Sequence, residues 1–204
     1  MKARGPGLRV FTWIDSLQEQ VAGFLGTVCS GDPPLPGDAA LFLELQPAME
    51  VNRVLDAALK GTRCIPGMMT VEREYGVLEL HHRDQAEVRE AGRLILAALG
   101  LSEDQRQRPR VVTRERITGV DGQHAQIVNR MRHGNMQIPR ETLYVLEMEP
   151  AGYALLAANE AEKAADVEIL EFVAFGAFGR VYLGGNDAAI QEGAAAAVAA
   201  LEQR

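Results

Sequence analysis

Apolar and polar positions along the chain follow two rhythms, a period of two that predicts strands and a period near 3.6 that predicts helices. Arg9 to Asp15 (RVFTWID) reads as a short strand. Ser16 and Glu19 have the spacing of a capping box and predict a helix whose Leu17, Val21, Phe24, Leu25 and Val28 share one face. The loop SGDPPLPGD ends it, since proline and glycine disfavour further helix. ALFLELQP (Ala40 to Pro47) predicts a second strand, apolar on both faces, followed by a helix through Met49, Val54, Leu55, Ala58 and Leu59. Ile65 to His82 reads as two strands, or one broken strand, around the polar segment Glu72 to Glu74. Asp84 and Glu87 then cap a last helix carrying Val88, Ala91, Leu94, Ile95 and Leu99. Residues 100–109 (GLSEDQRQRP) form a polar boundary.

Beyond that boundary the same order returns. ALFLELQPAMEV (Ala40 to Val51) aligns without a gap on LYVLEMEPAGYA (Leu143 to Ala154), an offset of about 103 residues. At that offset Gly31 meets Gly134, Pro36 meets Pro139, Lys60 meets Lys163, Gly76 meets Gly179 and Leu80 meets Leu183. Solenoid repeats run at about 20 to 50 residues, so this period is a duplicated domain. The division falls at 1–102 and 103–204, and about 100 residues suffices for one core in each half. The second half ends in AIQEGAAAAVAAL, a thin helix suited to close packing. Strands and helices mixed within each half predict an α+β sandwich with helices covering a sheet. Two half-alike domains in one chain are also suited to act as two subunits of a ring.

The formal charge of −7 and pI near 5.2 argue against a nucleic-acid binder, whose footprint is basic. Arg106, Arg108 and Arg110 make a local basic run, expected to be a solvated linker. The start of the chain carries Lys2 and Arg4 without an apolar stretch behind them, and no run approaches about 18 apolar residues; neither secretion nor a membrane span is expected. Cys29 and Cys64 fall opposite Arg132 and Val167, so neither thiol is duplicated, and inert thiols in a reducing cytoplasm are expected.

Candidate chemistry is sparse. FGAFGRVYLGG (Phe175 to Gly185) has the glycine spacing of a kinase phosphate loop, but that loop needs a lysine on a following strand and none occurs after Lys163. His81 and His82 are adjacent, which on a strand sends them to opposite faces, and His124 and His133 stand apart. No catalytic set assembles from the sequence. Glu72-Arg73-Glu74 falls opposite Phe175-Gly176-Ala177, so one half puts long charged side chains where the other puts a small, flexible backbone.

NEAEKAADVEILEFVAFGAFGRVYLGG (Asn159 to Gly185), the diverged helix end LDAALKGT in the first half, and the GVD…NRMRHG…IPRETLYVLE stretch (Gly119 to Glu147) together resemble bacterial microcompartment shell proteins. The resemblance covers essentially the whole chain and is to the tandem-domain, permuted type. It implies two ferredoxin-like α/β sandwiches, no enzymatic activity and a homotrimer whose six domains form a pseudohexameric tile around a central pore. By the same resemblance Glu72 and Arg73 are the gate, Phe175, Gly176, Ala177 and Phe178 line the same opening, and Lys163 and Lys60 lie at the tile edge. It further implies trimers that can stack in pairs, contact with other shell proteins in the bacterial cytoplasm, and small metabolites passing the pore. Some tandem shell proteins hold an iron–sulfur cluster through a pore cysteine; neither turn has one, so no metal and no cofactor are expected. Two alternatives stay open: a trimeric small-molecule-binding regulatory protein, and an enzyme with an intersubunit site.

Overall fold

A computed structural model describes residues 6–204; Met1 to Gly5, with the Lys2 and Arg4 of the reading at the start of the chain, lie outside the described residues. Four strands, β1 (Gly7–Ile14), β2 (Ala39–Gln46), β3 (Ile65–Glu72) and β4 (Tyr75–His82), form an antiparallel sheet in the order β1-β2-β4-β3. Strands β5 (Arg110–Ile117), β6 (Thr142–Glu149), β7 (Glu168–Val173) and β8 (Gly179–Gly185) form a second in the order β5-β6-β8-β7. The first half carries helices α1 (Glu19–Val28), α2 (Glu50–Gly61) and α3 (Gln85–Leu99). The second carries α4 (Gly122–Met131), α5 (Ala154–Ala164) and α6 (Asp187–Glu202).

The sequence repeat is a repeat of backbone. Val10 opposes Glu44 as Thr113 opposes Glu147, and Met69 opposes Leu78 as Phe172 opposes Val181. Two of the recurring glycines have a steric cause. Gly31 N donates to Gly67 O at 2.8 Å and Gly134 N to Leu170 O at 2.9 Å. That approach leaves no room for a side chain, since a Cβ would overlap the carbonyl oxygen of Pro66 in one half and of Ile169 in the other.

Strand β2 is apolar on both faces because both are covered. Leu41, Leu43 and Leu45 face α2 and α3 of their own half, in a core with Val54, Val88 and Ile95. Phe42 joins the opposite core, with Val10 and Val77, which merges with Tyr153, Ala154 and Ala157 of the second half. The alanine-rich α6 packs closely on α5, as its small side chains predict. The corresponding outer face of the second sheet has no such cover: β5 is largely exposed where β1 is buried.

Three local expectations need correction. Helix α1 starts at Glu19 rather than Ser16, and its N-cap Gln18 makes no side-chain cap; Glu162 of α5 accepts from Gln20 N at 2.7 Å and Val21 N at 3.0 Å instead. Asp84 caps α3 as expected, accepting from Ala86 N at 2.9 Å, but Glu87 turns away to the backbone and guanidinium of Arg63. The basic run is not a solvated linker throughout. Arg110 opens β5, and Arg106 is half-buried beside a 3₁₀ turn at Glu103–Gln105, donating to Glu103 O at 3.0 Å.

Candidate functional site

Strands β3 and β4 stay paired out to Glu72 opposite Tyr75, so only Arg73 and Glu74 make the turn. A two-residue hairpin favours positive φ at its centre, and Arg73 adopts φ 53° there. Its side chain is 90% exposed, with Nε 3.6 Å from Oε1 of Glu72. An ion pair this solvated contributes little and leaves both side chains free to repartner. The base of the hairpin is held more firmly: Glu74 accepts from Gln46 Nε2 at 3.1 Å, and the Arg9 guanidinium lies 3.8 Å over the Tyr75 ring.

The second-half turn is built differently on the same framework. Strands β7 and β8 stop pairing at Val173 opposite Arg180, two pairs sooner than their counterparts. Ala174 to Phe178 are unpaired, Gly176 sits at φ 92°, and Phe175 and Phe178 are exposed. Alanine and glycine here supply little of the side-chain packing that keeps Val71 and Tyr75 zipped. The turns belong to different sheets, and among the described residues no hydrogen bond or ion pair joins Glu72 or Arg73 to Phe175–Phe178.

Lys163 and Lys60 occupy the last turns of α5 and α2, the end where cations oppose the helix dipole. Both are solvated, Lys163 3.7 Å from Glu160 and Lys60 2.6 Å from Asp56.

Sequence reasoning passed over a buried polar cluster at the junction of the halves. Arg9 Nε donates to the fully buried Glu44, and Arg9 Nη1 donates to Gln107 Oε1 at 3.2 Å. Glu44 Oε2 accepts from Gly152 N at 2.8 Å, and Tyr153 donates its hydroxyl to Gln107 O at 2.6 Å. Burial pushes the Glu44 carboxyl up, against the pull of Arg9 and the Gly152 amide. The available signal was Glu44 itself, a charge in an otherwise apolar strand that recurs as Glu147. Glu147 accepts from Arg180 Nε at 2.6 Å. A second buried acid, Glu79, lies 3.1 Å from His81 Nδ1 and accepts from Met68 N at 3.3 Å; burial raises its pKa.

The adjacent histidines do part company: His81 is buried on Glu79, while His82 accepts from Asp84 N at 2.9 Å. Among the described residues no group of three or more His, Cys, Asp or Glu side chains is arranged to hold a metal ion. Both cysteines are free, and burial raises both thiols, which keeps them protonated and unreactive. No helix of the described residues is long and apolar enough to cross a membrane.

Two homologous α+β domains in one chain, each presenting an exposed hairpin turn of its own design, define a tandem-domain building block. The family model of the CsoS1D N-terminal domain matches residues 8–105. The chain is 50% identical over 198 residues to the carboxysome shell protein CcmP of Synechococcus elongatus, covering 97% of this chain and 93% of that protein. Among solved structures, the fused permuted hexameric shell protein of the RMM microcompartment superposes with a TM-score of 0.94 at 42% identity, covering 97% of each chain. The double ringed trimeric shell protein of the same microcompartment gives 0.94 at 38% identity, over 98% of this chain and 97% of that one. The chain belongs to the family of carboxysome shell proteins. Its fold is that of two tandem permuted microcompartment domains, and the family's role is structural rather than catalytic.

Proposed function

We propose that the chain is a shell tile with a gated pore. Three copies close a pseudohexameric ring in which domains 1–102 and 103–204 alternate, and two rings can stack face to face. Three Glu72–Arg73 hairpins and three Phe175–Phe178 turns surround the central opening, through which small metabolites pass. The tile sits in a microcompartment shell in the bacterial cytoplasm, meets other shell proteins along edges carrying Lys163 and Lys60, and uses neither nucleic acid nor membrane. The observation that carries the reading is the end-to-end identity to a carboxysome shell protein, 50% across 97% of this chain.

The geometry supports the gate. Around a threefold axis, three exposed Glu-Arg pairs can exchange partners between chains and occlude a narrow opening. Swung outward, they leave a wide hole edged by backbone and by the small residues of the second turn. Two states that differ by about a few kcal/mol suffice for such a switch, because each side chain exchanges one solvated partner for another. Rings of charge and backbone dipoles then select what crosses.

The test is the double change Glu72→Ala with Arg73→Ala. No side chain long enough to span the opening remains on the first hairpin, so the variant folds, forms trimers and shows an open pore in every cryo-electron map. Maps with the opening still sealed would transfer the gate to Phe175–Phe178. A parent protein that sediments as a monomer at micromolar concentration would end the tile reading altogether.

A further inference from the structure

The chain holds one complete copy of an interface between a first half and a second half. Across it Phe24 of α1 stacks on Phe172 of β7, ring centroids 4.0 Å apart and both side chains buried. Gly152 lies flat on the first sheet, where a Cβ would stand 3.1 Å from Val10 Cγ2 and 3.2 Å from Phe42 Cε1. Gln20 crosses the seam, donating from Nε2 to Val167 O at 2.7 Å.

Each of these residues has an equivalent at the repeat offset, and the register of both sheets and both first helices validates that offset residue by residue. The equivalents of Phe24, Phe172 and Gly152 are Ile127, Met69 and Met49, which are 63%, 37% and 66% exposed. Ile14, buried, is matched by Ile117, exposed. Single exposed apolar residues are ordinary. These differ because they stand where the other copy makes contact, and because their sizes compensate. The in-chain seam sets a bulky Phe42 against Gly152. At the equivalent positions the sheet carries the smaller Val145 and the facing turn the longer Met49, so bulk has moved from one side to the other. Gln20 recurs as Gln123, with Cys64 in the place of Val167. The helix cap also complies. Glu162, which caps α1 across the seam, is matched by Leu59, which has no carboxylate; α4 is capped locally, Asp121 accepting from Gln123 N at 2.8 Å.

We infer that the uncovered face of the second half docks on the first half of a second copy of this chain, seating Ile127 on Met69 and Val145 under Met49 in the geometry the chain uses within itself. This rests on the ring reading above and names the contacts that close the ring. The interface is heterologous, so each copy uses both faces and the ring closes when every face is covered.

The experiment is cross-linking of Ile127→Cys with Met69→Cys in one chain, in a Cys29→Ser, Cys64→Ala background, using a short bis-maleimide. The expected product on a denaturing gel is a covalent trimer, absent from either single cysteine variant. If the pair stays monomeric on the gel while the native protein sediments as a trimer, this interface is wrong and the ring reading survives. If the native protein sediments as a monomer, the ring reading itself fails. A size exchange gives a second measurement. Val145→Phe overpacks the seam and weakens trimer association by at least about tenfold, and adding Met49→Gly restores it to within about threefold. Additive weakening by the two changes would overturn the Val145–Met49 contact.

Discussion

A buried carboxylate is the residue-scale feature with the plainest consequence. Glu79 is enclosed, with His81 and the Met68 amide for partners, and burial raises its pKa. Between the ordinary glutamate range and that raised value the folded state binds more protons than the unfolded chain. The stability Glu79 contributes is therefore fully present below the ordinary range and is lost as pH rises through the folded value. Melting temperature followed from pH 4 to 8 should fall less steeply for Glu79→Gln than for the parent. Parallel profiles would mean that the carboxyl does not titrate differently on folding. Arg73 is the opposite case, a charge held so loosely that its position is set by its neighbours, which suits a gate and adds nothing to stability.

Helix α1 illustrates the element scale. It reads as a self-capped helix, yet its first amides are satisfied by Glu162, 142 residues away. Glu162→Ala should therefore destabilise the protein by about 1–2 kcal/mol, with α1 losing amide protection first, because a cap and a contact between halves are lost together. Ser16→Ala should change stability by less than about 0.5 kcal/mol, since Ser16 is exposed and makes no cap. Urea unfolding of the two variants compares them directly, and the reverse ranking would restore the local capping box. The two hairpins make the same point for turns. Pairing persists to Glu72–Tyr75 where valine and tyrosine occupy the strand ends, and stops early where alanine, glycine and phenylalanine do.

At the scale of the whole molecule, one sheet is covered on both faces and the other on one. That asymmetry makes the single chain an incomplete object, and the proposed ring completes it. The tile edge is a separate surface. Lys163 sits at a helix end, solvated and 3.7 Å from Glu160, with a long stem able to lie along a neighbouring tile. Lys163→Glu should reduce incorporation into shells when co-expressed with other shell proteins, while sedimentation still reports the parent trimer. Unchanged incorporation would take Lys163 out of the edge.

The sequence by itself determined the duplication, the order of strands and helices and the α+β class. Each is written in periodicity or in recurring residues a few positions apart, and the glycines at 31 and 134 recur because the backbone passes too close for a side chain. Which residues the family resemblance marked as gate and edge was also legible, because Glu72–Arg73 and Phe175–Phe178 break an otherwise matched repeat. Tertiary structure alone decided that Glu44 meets Arg9 and Gly152, that Glu79 is sealed beside His81, and that Glu162 caps a helix of the other half. Pattern reading reaches about one helical turn or one strand pleat along the chain. Arg9 and Glu44 are 35 residues apart and Glu44 and Gly152 are 108, so their pairing exists only once the sheets have formed and the halves have docked.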